Sequence, residues 1–152
     1  MPTERHIMLW LPYSITMTKQ QHWISSYGCV YNVNYHFVWS TKYRRKVLVG
    51  DVAERLKELN KSISVDKGFD IVVQEVQPDH VHLFIRAHPK FAPSTITKVL
   101  KGITAKKLFE EFPELRSKLW KGHLWNPSYY IGTCGDCSKD VVIKYIETQK
   151  ER

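Results

Sequence analysis

Gln77-Pro78-Asp79-His80-Val81-His82-Leu83-Phe84-Ile85 reads as a β-strand entered through a proline turn. Alternate side chains of a strand share a face. His80, His82, Phe84 and Arg86 therefore fall on one side, and Val81, Leu83, Ile85 and Ala87 on the other. The second set is uniformly apolar and suits a sheet face covered by helices. The first sets two imidazoles about 7 Å apart along the strand, close enough for both rings to reach one divalent cation. A His-X-His pair by itself is weak evidence for a metal and more readily fits two half-exposed histidines at the start of an edge strand.

The neighbouring segments supply the rest of a sheet. Phe69 to Val76 is a second β-rich run, and the short turn at Gln77 to Asp79 makes it an antiparallel hairpin with the histidine strand. Upstream, Val52, Leu56, Leu59 and Ile63 recur at helical spacing, which predicts a helix over 51–66. Asp51 is placed to cap its start and Gly68 to stop it. Cys29 to Trp39 is dense in β-branched and aromatic residues and is expected to be the first strand. Downstream, Ile96, Val99, Leu100, Ile103 and Leu108 form an apolar stripe on a helix over 94–112, with Ser94 as cap and Pro113 as stop. Residues 115–127 read as irregular, 129–134 as a short strand and 138–149 as a last helix. The order predicts an α+β, ferredoxin-like β-α-β-β-α-β fold with an antiparallel sheet, helices on one face and an added C-terminal helix. Residues 1–26 show no sustained period and read as an N-terminal extension, leaving 27–152 as the domain.

The chain has 152 residues, 43% hydrophobic and 25% charged, which suits one globular domain rather than a disordered chain. Lys and Arg number 23 against 15 acids, a surplus of +8. That balance favours a polyanionic partner, most simply nucleic acid. No apolar run reaches the ~20 residues needed to span a bilayer, and a cytoplasmic protein with no membrane partner is expected. Cys29, Cys134 and Cys137 are too few for a disulfide framework. Cys134-Gly-Asp-Cys137 has the spacing of a zinc knuckle or redox pair, but no second pair accompanies it, and a turn of small residues fits it better.

Basic residues concentrate in two places. Lys42, Tyr43, Arg44, Arg45 and Lys46 form a basic loop with an aromatic ring in it, a mix suited to phosphate contact and base stacking. Lys98 and Lys101 lie one turn apart on the second helix. Both features also fit an ordinary solvated surface. On the last helix, Tyr145 and Gln149 stand four residues apart and share a face. Two histidines, an amide oxygen and a phenol would together suit phosphodiester chemistry, with the cation polarising phosphate oxygens and the phenol attacking phosphorus. Taken alone, Tyr145 sits beside Val142, Ile143 and Ile146 and reads more readily as a core or interface residue than as a nucleophile, one of eight tyrosines.

Several spaced motifs sharpen this picture. Tyr35-His36-Phe37-Val38-Trp39 with Lys42-Tyr43-Arg44-Arg45, then Pro78-Asp79-His80-Val81-His82-Leu83, then Leu124-Trp125, Ser128-Tyr129-Tyr130-Ile131 and Thr133-Cys134-Gly135, and finally Tyr145-Ile146-Glu147-Thr148-Gln149, occur in that order. Over residues 27–149 the chain resembles the TnpA-type single-tyrosine HUH transposases of small bacterial and archaeal insertion sequences. The resemblance implies His80, His82 and Gln149 as metal ligands and Tyr145 as nucleophile. Glu75 and Asp79 lie close to the histidine strand and are the alternative ligands should Gln149 not serve. It implies Mg²⁺ or Mn²⁺, no nucleotide cofactor, and cleavage and rejoining of single-stranded DNA through a 5′-phosphotyrosine. It further implies recognition of hairpins near the element ends, and a homodimer in which the tyrosine helix of one subunit can complete the histidine site of the other. The other readings are a domesticated relative that processes hairpin repeats, a non-catalytic nucleic-acid-binding module on the same sheet, and a hydrolase using activated water.

Overall fold

The computed structural model describes residues 23–119, 122–135, 143, 144 and 147. A small hairpin comes first, with β1 at Ile24–Ser26 and β2 at Cys29–Tyr31. It straddles the boundary between 26 and 27. The main sheet uses β3 (Asn34–Ser40), β4 (Asp70–Gln77), β5 (His80–Arg86) and β6 (Tyr130–Thr133). Its order is β4-β5-β3-β6, antiparallel at every junction. Helix α1 (Gly50–Lys67) connects β3 to β4, and α2 (Pro93–Glu111) follows β5. This is the ferredoxin-like arrangement expected from the order of elements. Among the described residues, no helix is long and apolar enough to cross a membrane.

The core lies between the sheet and the two helices. Val81, Leu83 and Ile85 of β5 are wholly enclosed, as is Phe37 of β3 beside them. They meet Leu56, Leu59 and Ile63 of α1 and Ile96, Leu100 and Leu108 of α2 in one apolar cluster. Val99 and Ile103 pack at its margin. Two threonines on α2 are buried without stranding their hydroxyls: Thr97 donates to the Ser94 carbonyl at 2.9 Å and Thr104 to that of Leu100 at 2.6 Å.

Local chemistry moved several element ends. The long first strand divides at Asn32–Val33 into β2 and β3. Asn32 there donates to the Gly135 carbonyl at 3.0 Å and accepts from Asn34 at 2.6 Å, so its amide serves the chain crossing rather than a ladder. Helix α1 begins at Gly50, with Val49 as its N-cap residue, so Asp51 lies in the first turn instead of capping it. An acidic side chain there still meets the positive end of the helix dipole. Helix α2 begins at Pro93 after Ala92, displacing the expected Ser94 cap. Proline suits that first position because its missing N–H has no helical partner. Gly68 ends α1 as expected, in the left-handed region at φ 90° with its N–H on the Ser64 carbonyl. Between Phe112 and Leu124, Leu115–Lys118 forms one helical turn where irregular chain was expected. Cys134 is disulfide-bonded. Of the expected last helix, Ile143, Lys144 and Glu147 are helical, while Tyr145, Gln149 and Cys137 lie outside the described residues.

Candidate active site

The register of the sheet brings together what the sequence kept apart. His80 and His82 on β5 lie opposite Ser40 and Val38 of β3, and opposite Gln77 and Glu75 of β4. Phe84 lies opposite His36, and Val38 opposite Tyr130 of β6. The face turned away from the helical core therefore carries His80, His82, Phe84, His36 and Tyr130. The rings of His80 and His82 are 5.1 Å apart and nearly perpendicular. They border a pocket of about 320 Å³ that also contains Ser40, Arg44, Tyr129 and Tyr130.

Each histidine is held through its Nδ1 atom. His80 Nδ1 lies 2.6 Å from Asp79 Oδ1. The other oxygen of Asp79 accepts from Arg44 Nε at 3.2 Å. Burial pushes the Asp79 carboxyl up, but the His80 bond and the Arg44 charge outweigh it and hold the group below its ordinary range. His82 Nδ1 lies 3.0 Å from Nε2 of His36. His36 is only 5% exposed. Burial first, and the neighbouring His82 second, lower its pKa from 6.5 to about 4, so it is neutral at ordinary pH.

These contacts fit a metal pair. A ligating histidine commonly donates its second ring N–H to an acceptor, which fixes the tautomer and the ring direction. Asp79 is placed to serve that purpose for His80, were His80 to bind a metal. Glu75 accepts from Gln77 at 2.7 Å, beside His82 across the β4–β5 ladder. Among the described residues, no three His, Cys, Asp or Glu side chains gather to hold a metal ion. Two imidazoles and one further oxygen donor are what the site could offer, and Gln149 falls outside the described residues.

The basic loop is a built turn. Lys42–Arg44 forms one tight helical turn, in which Tyr43 and Arg44 take φ of 56° and 52°. Left-handed backbone costs non-glycine residues about 1–2 kcal/mol each. Thr41 offsets this by donating its hydroxyl to the Arg45 carbonyl at 2.7 Å while its N–H bonds the Asp79 carbonyl at 2.9 Å. The strained turn thereby aims Arg44 at Asp79 and leaves Tyr43, Arg45 and Lys46 exposed. On α2, Lys98 is exposed, but Lys101 is not simply part of a solvated stripe. Its ammonium reaches the carbonyls of Asn126 at 2.6 Å and Ser128 at 3.2 Å, and burial lowers its pKa. It pins the segment leading into Tyr129 and Tyr130. Lys42 and Lys101 also line a second pocket of about 260 Å³ with His123 and Asn126.

His36 and Tyr130 were not singled out as site residues by the sequence. The available signal was the alternation of β3, where Phe37 and Trp39 mark the core side and leave His36 on the histidine side. Tyr130 folds back over Gly132, where an added Cβ would stand 2.7 Å from the tyrosine hydroxyl.

The sequence and the fold both have matches among known proteins. The chain belongs to the IS200-like transposase family, which it matches over residues 29–149. That places it among DNA strand-transfer enzymes. It is 44% identical over 125 residues to the ISDra2 transposase TnpA of Deinococcus radiodurans, covering 82% of this chain and 89% of that protein. It is 29% identical over 121 residues to the IS200 transposase of Salmonella typhimurium, covering 80% of this chain and 79% of that one. A crystal structure of a Deinococcus radiodurans R1 protein described as a transposase superposes with a TM-score of 0.70 at 40% identity, covering 83% of this chain and 97% of that chain. A REP-associated tyrosine transposase bound to a REP hairpin superposes with a TM-score of 0.54 at 18% identity, covering 88% and 73%, and shares the fold.

Proposed function

We propose that this transposase cuts and rejoins single-stranded DNA at insertion-sequence ends through a covalent 5′-phosphotyrosine on Tyr145. The observation that carries the reading is the His80–His82 pair, with each Nδ1 already engaged, at the edge of a pocket shared with Arg44, Tyr129 and Tyr130. His80, His82 and Gln149 would hold Mg²⁺ or Mn²⁺, which would polarise the oxygens of the scissile phosphate.

The chain's own groups do the rest. The Tyr145 oxygen attacks phosphorus, the bond from phosphorus to the 3′ oxygen breaks, and that oxygen takes up a proton as a 3′ hydroxyl. The phenol proton must leave first, because an ordinary tyrosine has a pKa of ~10. Rejoining is the reverse: a 3′ hydroxyl attacks phosphorus and frees Tyr145. The phosphodiester's energy stays in the protein–DNA bond, so no nucleotide cofactor enters. Arg45, Lys46 and Lys98 would meet backbone phosphates, and Tyr43 would stack on a base. Arg44 would face the strand from the edge of the pocket while steadying Asp79. The REP hairpin bound by the distant structural neighbour supports hairpin recognition here. A homodimer would allow Tyr145 of one subunit to serve the histidines of the other.

The test is covalent trapping. Labelled single-stranded DNA spanning the flanking element ends is mixed with protein and Mn²⁺ and run on a denaturing protein gel. A label-bearing shifted band, lost in Tyr145→Phe, is expected. Cut DNA without an adduct would replace this reading with a hydrolase. Binding with neither cut nor adduct, across all flanking sequences, would favour a non-catalytic binding module. Mixing Tyr145→Phe with His80→Ala subunits should restore partial activity if the site is shared between them.

A further inference from the structure

We infer that His36 is a positioning residue that selects the tautomer of His82 and thereby tunes its hold on the cation. The inference rests on the reading of His82 as a metal ligand. His36 sits on β3, two residues before Val38, the cross-strand neighbour of His82. Its Nε2 is 3.0 Å from His82 Nδ1. The ring lies flat on Phe84, with centroids 4.2 Å apart and planes 6° apart. It also stacks beside His82 at 5.3 Å, and Tyr130 approaches it edge-on at 5.8 Å. The imidazole is therefore fixed in plane and in direction.

A hydrogen bond between two neutral imidazoles needs one N–H and one lone pair. With Nδ1 of His82 committed to His36, a cation is bound through Nε2. The Nε2 lone pair then belongs to the cation, and the ring proton must sit on Nδ1. That N–H donates to Nε2 of His36, which must carry no proton, so the His36 proton is on its own Nδ1. Each ring's tautomer thus determines the other's. His80 is served differently: its Nδ1 faces the carboxylate of Asp79, whose other oxygen accepts from Arg44. One ligand ring is steadied by an anion and the other by an uncharged acceptor. Sequence makes the first arrangement visible, because Asp79 is adjacent, and hides the second, because His36 lies 46 residues away.

Stacking alone would also explain a buried His36, and the experiment separates the two roles. Mn²⁺ affinity is measured on the full chain without DNA, by the electron paramagnetic resonance signal of unbound Mn²⁺. His36→Phe keeps a flat ring against Phe84 but removes the acceptor. It should weaken Mn²⁺ binding by about 10–100-fold with a similar melting temperature. His36→Gln, whose side-chain oxygen can accept, should recover part of the loss. Mn²⁺ binding by His36→Phe equal to wild type would overturn the inference. His80→Ala and His82→Ala are the controls for the underlying reading. If neither weakens Mn²⁺ binding, the metal-site assignment fails, and with it this inference; if both do and His36→Phe does not, only the positioning role fails. Should His36→Phe not fold, the wild type decides through two-bond ¹H–¹⁵N correlations of its histidines with Mg²⁺. Protons on Nδ1 of both His36 and His82 are expected. A proton on Nε2 of His36 would refute the assignment.

Discussion

Along β5, Val81, Leu83 and Ile85 are wholly enclosed, while His80 and His82, one step away, are half-buried rings held by hydrogen bonds. The helix-facing side depends on apolar area and shape, contributed by many residues from both helices. The histidine side depends on a few directed contacts: Asp79 on His80, His36 on His82, and Arg44 on Asp79. Burial on the first side is nonspecific in direction and distributed among neighbours. On the second side, each contact is directional and acts on one ring. Stability and chemistry are thus separated by the thickness of one strand.

Substitutions on the two sides should therefore fail in different ways. His80→Ala should bring metal-dependent cleavage to background in the trapping assay while the melting temperature moves by only a few degrees. A variant that unfolded instead would erase the distinction between the faces. Leu83→Ala should do the opposite, costing about 2–5 kcal/mol in urea unfolding while the folded fraction retains its cleavage chemistry. Asp79→Asn keeps the size of the side chain but removes the anion shared by His80 and Arg44. A loss of about 10–100-fold in activity or Mn²⁺ affinity is expected, with little change in folding. An effect as complete as His80→Ala would mean that Asp79 itself binds the cation.

A smaller effect should appear with pH. His36 has a pKa lowered from 6.5 to about 4 in the fold, so the unfolded chain binds a proton there more readily. Stability from this group is fully present above pH 6.5 and is lost as pH falls toward 4. In metal-free protein the melting temperature should decline across that window, and His36→Phe should flatten the decline. An unchanged slope would show that His36 titrates alike in both states.

The sheet and helices were legible because period-two and helical apolar patterns are local. Val81, Leu83 and Ile85 announced their face, and Val52, Leu56, Leu59 and Ile63 announced theirs. Element ends were less legible where two signals competed, as when Pro93 at the first helical position overrode Ser94 as a cap. The division of the first strand coincides with Asn32 reaching Gly135, a contact across 103 residues that no local pattern records. The same holds for the site. The His80–His82 pair was readable from spacing, and Asp79 from adjacency. His36 and Tyr130 needed the cross-strand register before they could be placed beside it.

The clamp of Lys101 on the Asn126 and Ser128 carbonyls bears on how many cationic side chains are left to displace counterions from a nucleic acid. A protein that covers phosphates of a single strand releases condensed counterions, and its log affinity falls with log salt by about 0.7 per phosphate. Lys101 is desolvated and committed to two carbonyls, and Arg44 shares its charge with Asp79. Two of the 23 basic residues are thus already engaged within the protein. Lys101→Met should leave the salt slope of DNA binding nearly unchanged, whereas Lys46→Ala should reduce its magnitude by about 0.7. With those outcomes, part of this chain's positive charge would be structural reinforcement for a loop rather than a contact for a polyanion.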